Sequence, residues 1–340
     1  MHSQFGNLIF FSGRVSRNYG IPNEKSLIFS NNHYPFDHLG FKLSNHRTSF
    51  SFYFSRINDM KNSVDSQGIV VPSDSTMTTK RFFSFQHVDF ILSKKMQLGL
   101  SQSIIYGGPY QSFEFPYINP INFYYADQRN SLIQMNGFWQ LLFNYKISKY
   151  TSFYIDFLVD DFIINTGEPE YHPDDPNERS KYPDRLGLII KLSTINLFSL
   201  KSLSSITYTR ISNETYITFR NFENYIYHNQ GIGYPYNSYE SLKFNFSFFN
   251  YYPHKFSLSL NFSRKGDIDL EDVFSFTKKQ FPIGPVNYSI SSSLKAYLAL
   301  KNKFHISYVL AGIIEANSFK IFSNNYNLSA SHNLKLVYNF

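Results

Sequence analysis

The strongest constraint in this sequence is a period of two. Leu242, Phe244, Phe246 and Phe248 alternate with Lys243, Asn245 and Ser247, and Phe256, Leu258, Leu260 and Phe262 alternate with Ser257, Ser259 and Asn261. Successive side chains of a strand point to opposite sides, so each segment has one apolar and one polar face. Tyr251-Tyr252-Pro253-His254 between them reads as a tight hairpin. The same pattern puts Phe153, Ile155, Phe157 and Val159 on one face of a strand, and Leu186, Leu188, Ile190 and Leu192 on one face of another.

Fourteen candidate strands follow, at 5–13, 38–44, 48–58, 81–93, 95–106, 131–145, 151–163, 186–195, 203–220, 240–250, 255–264, 287–300, 303–315 and 331–340. The connections carry the topology. Long segments (14–37, 59–80, 107–130, 165–185, 221–239, 265–286, 316–330) alternate with short ones (45–47, 94, 146–150, 196–202, 251–254, 301–302) along the whole chain. If successive strands run up and down, every long loop emerges on one side and every tight turn on the other, as in bacterial outer-membrane barrels. Most strands also reach the roughly 9–11 residues that cross a bilayer when tilted. A large soluble sandwich, jelly roll or propeller would use the same alternation with the aromatic face as its core. Strict long and short alternation is hard to obtain from Greek-key topology and favours the membrane barrel. The expected fold class is therefore all-β, a transmembrane antiparallel up-and-down β-barrel of about 14 strands, forming one domain over residues 1–340.

Composition narrows the classes further. Phe (37) and Tyr (27) are abundant while mean hydropathy is only −0.30, because Ser, Asn and Lys lie between them. No apolar run approaches the roughly 18 residues of a helical span. Cysteine is absent, which excludes disulfides, thiol nucleophiles and thiolate metal sites. The net charge of +7 is spread along the chain without a dense Lys/Arg block, so no nucleic-acid partner is expected. Met1-His2-Ser3-Gln4 lacks the basic region and apolar core of a signal peptide, and the expectation is a barrel whose N-terminal part lies outside this sequence.

Leu334, Leu336, Tyr338 and the terminal Phe340 form a period-two row ending in an aromatic residue. Leu336, Tyr338 and Phe340 resemble the C-terminal signal read by the bacterial outer-membrane insertion machinery. That machinery is thus an expected partner, beside outer-membrane lipid and lipopolysaccharide. The signal also orients the chain, with strand 331–340 descending to the periplasm and the long loops outside.

Within the strands, Arg81, His87, Asp89, Asp156 and Asp160 are expected to face a polar lumen and to pair with charges on neighbouring strands. Asp160-Asp161 invites an acid-base reading, but consecutive strand residues point to opposite faces. His87 and Asp89 share a face without an identifiable nucleophile, and His305 with Ser307 lacks an orienting third group. Asp174, Asp175, Glu178 and Asp184 lack the ligand spacing of a calcium loop. No catalytic residue, metal or cofactor is expected. Trp139 shares its parity with Met135, Leu141 and Phe143 and belongs to the lipid face or an interfacial girdle.

Loop 221–239 is the candidate binding segment. Tyr225, Tyr227, Tyr234, Tyr236 and Tyr239 lie beside His228 and Asn229. Aromatic faces next to amide hydrogen-bonders suit sugar rings, whose C–H faces are apolar and whose hydroxyls need partners. Ordinary loop packing in a Tyr-rich chain is the competing explanation. Gly231 and Gly233 are expected to shape the loop by permitting positive φ.

Three ordered stretches are similar to the capsule-assembly Wzi-type family of outer-membrane proteins. The first is Gly13-Arg14 with Tyr19-Gly20, followed by Leu27-Ile28-Phe29-Ser30-Asn31-Asn32-His33-Tyr34-Pro35-Phe36-Asp37; Tyr19 stands where the family has Trp, and Tyr34 stands in its Pro-Pro pair. The second runs from Arg81 through His87-Val88-Asp89 to Ile105-Tyr106-Gly107 and Tyr117-Ile118-Asn119-Pro120. The third joins Phe157 to Phe162, Arg185-Leu186-Gly187 and the loop Tyr227 to Pro235. The resemblance implies a barrel of about eighteen strands with a periplasmic helical plug, which binds capsular polysaccharide and holds it at the cell surface. The expected function is a non-enzymatic outer-membrane barrel that binds or anchors surface polysaccharide; the alternative is a porin-type transport channel.

Overall fold

The computed structural model describes residues 2–60, 63–64, 70–71, 79–108, 111–124, 135–161, 185–197, 200–249, 254–273, 280–301, 304–317 and 326–338. Its strands are β1 (His2–Phe5), β2 (Leu8–Arg14), β3 (Asp37–Ser44), β4 (Thr48–Met60), β5 (Ser63–Val64), β6 (Val70–Val71), β7 (Thr79–Ile91), β8 (Met96–Gly108), β9 (Met135–Lys146) and β10 (Thr151–Asp161). They continue as β11 (Arg185–Ile195), β12 (Ser202–Ile211), β13 (Ile226–Tyr227), β14 (Gln230–Gly231), β15 (Tyr239–Phe248), β16 (Lys255–Lys265), β17 (Asn287–Lys301), β18 (Phe304–Asn317) and β19 (Tyr326–Tyr338). One helical turn, α1 (Phe115–Ile118), lies in a connection.

Fifteen strands form one antiparallel sheet in which every neighbour is also the next strand in sequence; β5 with β6 and β13 with β14 are separate ribbons. That is up-and-down connectivity throughout. All fourteen expected strands are present, with three adjustments. The expected strand 5–13 is a hairpin of β1 and β2, because Gly6 at φ 59° turns the chain. The expected strand 203–220 ends at Ile211, where residues 212–220 leave the sheet. β19 starts earlier, at Tyr326.

Register separates the two faces. Phe244 pairs with Ile206 and Leu260, while Lys243 pairs with Thr207 and Asn261. The outward set remains exposed as an apolar belt that includes Leu192, Ile206, Phe244, Leu258, Phe262, Ile290, Leu294 and Leu310. A belt of this extent requires an apolar solvent. Trp139, paired with Val159 and Gln102, lies on this outward face.

Two of the long connections, 15–36 and 212–238, fold inward and cover the inner face of β4 and β7–β12. Ile21, Leu27, Ile28, Phe29 and Phe36 of the first and Tyr216, Tyr225, Ile226 and Ile232 of the second meet Tyr53, Phe83, Phe85, Ile105, Phe138, Leu158, Ile189 and Ile211 of the wall in one buried cluster. The inner face therefore has two characters. It is apolar where the loops sit, and polar along β15–β17, where Ser241, Lys243, Ser259, Asn261 and Ser291 point inward.

Buried loop backbone needs hydrogen-bond partners, and wall side chains provide them. Arg81 is fully buried and donates from Nε to Phe222 O at 2.6 Å and from a terminal nitrogen to Asn224 O at 2.7 Å and Ile226 O at 3.0 Å. Asp160 accepts from Tyr216 N at 2.6 Å, and Asp156 from Leu27 N at 3.2 Å. Replacing Arg81 by Met strands three carbonyls and is expected to cost about 3 kcal/mol, since each unsatisfied buried group costs a kcal/mol or more. The measurement is the temperature at which the folded gel band converts to the unfolded one, together with proteolysis within 212–238. Unchanged values for both in Arg81→Met show that the loop does not depend on this side chain.

Candidate functional site

The segment 15–36 reaches the polar half of the wall through Glu24. Its carboxylate accepts from Lys191 Nζ at 2.7 Å, Lys243 Nζ at 3.0 Å and Thr207 Oγ1 at 3.1 Å. Lys191 also donates to Pro22 O at 2.8 Å. A carboxylate between two ammonium groups and a hydroxyl has its lone pairs matched, which makes burial of these charges tolerable. Upstream, Asn18 Oδ1 accepts from Ser26 N at 2.9 Å, and Ser26 Oγ donates to Tyr19 O at 2.5 Å. Tyr19 donates its hydroxyl to Tyr53 at 2.9 Å.

A second network runs along the wall behind this loop. His87 joins Asp89 Oδ2 at 3.0 Å to Ser101 Oγ at 2.8 Å; Ser101 donates to Gln140 Oε1 at 2.9 Å, and Gln140 Nε2 donates to Asp156 Oδ1 at 2.7 Å. Asp89, His87 and Asp156 thus belong to one chain of hydrogen bonds that ends on the backbone of Leu27. Asp160 lies 3.6 Å from Arg185, on the neighbouring strand. All five lumen candidates face inward, but among the described residues Asp160 is the one of them that forms an ion pair with a neighbouring strand as expected. Asp89 pairs with His87 of its own strand. Arg81 and Asp156 instead hold loop backbone, because the inner face here is covered by the protein's own chain rather than by water.

Between the two inward loops and the polar strands lies a cavity of about 660 Å³. Asn18, Asn23, Glu24, Lys25 and Asn31 of the first loop line it, with Tyr234 of the second, Thr207 and Thr209 of β12, Tyr239, Ser241 and Lys243 of β15, and Ser259, Asn261 and Ser291 of the next two strands. The strand residues lie within six positions of the ends from which the long connections emerge. Such ends are extracellular in outer-membrane barrels. The lining offers hydroxyls, amides, two ammonium groups and two phenol rings.

The tyrosines of loop 221–239 divide into two groups. Tyr225 is completely buried, tilted against Phe138 at 4.2 Å and stacked on Tyr216 at 5.9 Å, with its hydroxyl on Ser103 Oγ at 2.7 Å, so neither ring face is open to a ligand. This residue is part of the loop core, as the packing explanation requires. Tyr227 packs on Phe36 at 5.1 Å and on His228 at 4.4 Å. Tyr234, Tyr236 and Tyr239 form a cluster with ring centres 5.1–6.4 Å apart. Tyr234 and Tyr239 line the cavity, and Tyr236 is 42% exposed with Lys265 Nζ 5.7 Å from its ring. Burial holds the phenols of Tyr19 and Tyr234 above the ordinary tyrosine value, so both are neutral donors.

The glycines act differently from the expectation. Positive φ falls on His228 (45°) and Asn229 (62°), the two central residues of the β13–β14 turn, and not on Gly231 or Gly233. Those two permit close approach: a Cβ on Gly233 would stand 2.1 Å from Leu27 O, and one on Gly231 2.4 Å from Tyr234 O. The two inward loops touch backbone to backbone there, with Ser30 N donating to Ile232 O at 2.9 Å and Ser30 Oγ to Gly233 O at 2.5 Å.

Sequence reasoning missed the contribution of residues 18–31 to the site, although Asn18 and Asn31 fell within the stretch that carries the family resemblance. The available signal was the inward parity of Thr207, Ser241, Lys243, Asn261 and Ser291, which share one band. The segment 162–184, with its acidic residues, and Phe340 lie outside the described residues, as do the side chains of Leu336 and Tyr338.

An up-and-down antiparallel wall with a continuous outward apolar belt and loops folded into its interior defines an outer-membrane β-barrel. Residues 1–170, half of the chain, match the capsule assembly protein Wzi family, and the chain belongs to that family. Wzi of Escherichia coli, an outer membrane protein involved in group 1 capsule assembly and described as a carbohydrate-binding β-barrel, is similar in structure with a TM-score of 0.62. It is 11% identical, over 100% of this chain and 70% of its own. OccD3 (OpdP) of Pseudomonas aeruginosa is 8% identical over 99% of this chain and 76% of its own, with a TM-score of 0.50. At these identities the likeness is one of fold. No curated protein matches the sequence.

His33 makes the anchoring of loop 15–36 sensitive to acid. It is 4% exposed, between Phe29 and Phe36, donates from Nδ1 to Tyr34 O at 2.6 Å, and its buried Nε2 has no hydrogen-bond partner among the described residues. Desolvation holds its pKa below the ordinary 6.5. The unfolded imidazole therefore takes a proton first, and this contribution to stability is lost as pH falls below about 6.5. Proteolysis within 15–36 should be faster at about pH 5 than at about pH 7.5, and His33→Phe should remove most of that increment. An increment of the same size in His33→Phe assigns the acid response to other groups.

Proposed function

We propose that this protein binds a surface polysaccharide from the extracellular side of the outer membrane and holds it there without chemically altering it. The observation that carries the reading is the polar cavity beside the inward loops, lined by Tyr234 and Tyr239, against which the exposed Tyr236 packs. Its lining matches the chemistry of a sugar chain: amides and hydroxyls for the hydroxyl groups, phenol faces for the C–H faces. Its volume falls in the range of pockets that enclose small ligands, which suits one segment of a long polymer. Lys25 and Lys243 add positive charge, which favours polysaccharides bearing carboxylates or other acidic substituents.

Membership of the Wzi family supports the same reading, as does the carbohydrate-binding description of the Escherichia coli protein. The porin-type alternative needs a water-filled lumen, whereas the inner face of β4 and β7–β12 is covered by hydrogen-bonded loops. In planar bilayers the protein should carry almost no steady current.

Tyr236→Ala combined with Asn261→Ala should weaken binding of purified capsular polysaccharide roughly 5- to 150-fold, the equivalent of about 1–3 kcal/mol for a lost aromatic contact and a lost hydrogen bond. Heat-dependent gel mobility checks that both proteins are folded. Equal binding by equally folded proteins removes the cavity from the site, and steady conductance with no binding by either turns the assignment to the channel.

A further inference from the structure

A third long connection behaves unlike the other two. Residues 111–124 leave the extracellular end of β8 and turn back over the outward face of the wall. Phe113 packs on Phe54 at 5.4 Å and Phe82 at 5.0 Å, Tyr117 on Tyr106 at 4.6 Å, and Phe123 edge-on against Trp139 at 4.8 Å. The wall residues in these contacts have the outward parity. Phe82 pairs with Arg56 and Tyr106, while its neighbours Arg81 and Phe83 face the interior.

The outward-facing polar side chains Ser84, Gln86 and Gln102 lie beneath the flap and are each engaged by it. Ser84 donates to Tyr117 O, and Gln86 Nε2 donates to Asn119 O and Asn122 O, both at 3.2 Å. Gln102 Nε2 donates to Asn122 O at 2.6 Å, and its Oε1 accepts from Tyr124 N at 3.3 Å. Gln102 lies six residues inside the end of β8, about 20 Å along the strand. An amide at that depth without a partner would cost several kcal/mol in hydrocarbon. Wall and flap thus form one matched device within the membrane-crossing part of the barrel.

The outer side of the flap is mainly apolar, with Ser112 and Asn119 its exposed polar residues. Phe115 and Ile121 are each 88% exposed, Phe113 and Phe123 more than half, and Glu114 is the one charged residue in 111–124. Under Phe123 lies an apolar groove of about 460 Å³, lined on the outward face by Phe50, Val88, Leu100, Trp139, Leu141 and Phe157. It is continuous with the exposed belt of the wall.

We propose that residues 111–124 form a lipid-embedded flap in the outer leaflet, and that the groove beneath Phe123 seats an acyl chain of the surrounding membrane lipid. The occupant follows from position and chemistry: the groove opens on the belt that faces the bilayer, and its lining has the character of an acyl-chain site.

The chain has no cysteine and one tryptophan, which makes the test clean. Full-length protein is reconstituted in phosphatidylcholine vesicles with a nitroxide at Ile121→Cys, and with reference nitroxides at Phe244→Cys on the belt and His228→Cys in an exposed turn. The Ile121 label should collide with oxygen in preference to a water-soluble nickel complex, to the same degree as the Phe244 label. Nickel access equal to that at His228 would overturn the proposal, and so would spin–spin broadening at Ile121, which would mean that a second copy covers the flap. Independently, Trp139 fluorescence should be quenched in vesicles of acyl-brominated phosphatidylcholine. Because Trp139 lies in the groove, emission equal to that in unbrominated vesicles would overturn the acyl-chain assignment.

Discussion

Everything in the interior depends on wall side chains that satisfy loop backbone. A barrel interior can accept irregular chain only if its N–H and C=O groups find partners, and here Arg81, Asp156 and Asp160 supply them. Arg81 is suited to this role because its planar fork donates in several directions at once, reaching carbonyls of Phe222, Asn224 and Ile226. With the backbone satisfied, Phe29, Phe36, Tyr216 and Tyr225 can pack as they would in a soluble core.

That packing divides the wall and thereby creates the site. Strands β4 and β7–β12 bury an apolar inner face under the loops, whereas β15–β17 keep Ser, Asn and Lys pointing inward. The cavity lies along this boundary. Glu24 spans it, binding Lys191 on the covered side and Lys243 on the polar side, so the polar wall and the inward loop are held in register. A sugar-binding surface needs positioned hydroxyls, amides and ring faces more than it needs depth, and a rigid wall with a fixed loop provides that positioning.

The outward face obeys the same rule in a different solvent. Ser84, Gln86 and Gln102 stand at positions that elsewhere carry belt residues, and each finds its partner in the backbone of 111–124. Polar groups facing hydrocarbon must be covered by protein, so that connection lies on the wall and presents Phe115 and Ile121 on its far side. The protein thus folds connections onto both sides of one sheet.

The strands apart from the split of 5–13 into β1 and β2, their up-and-down order and the outward belt were legible in the sequence, because a two-residue period depends only on the covalent geometry of an extended chain. Phe244 alternating with Lys243 and Asn245 is enough to assign faces. The alternation blurs at Phe52-Tyr53-Phe54, Phe82-Phe83 and Ile104-Ile105-Tyr106, where both faces are buried, and there the sequence could say that the strand was covered but not by what. Nothing local distinguishes Tyr225, sealed against Phe138, from Tyr236, exposed beside the cavity-lining Tyr239; both are tyrosines in the same loop. Connections 14–37, 107–130 and 221–239 all read as long loops on one side of the sheet, and only the tertiary structure decided that two enter the barrel and one lies outside it. The physical reason is that their destinations are set by contacts across up to 219 residues of sequence, such as Glu24 with Lys243, whereas the strand pattern is set by each residue and its immediate neighbours.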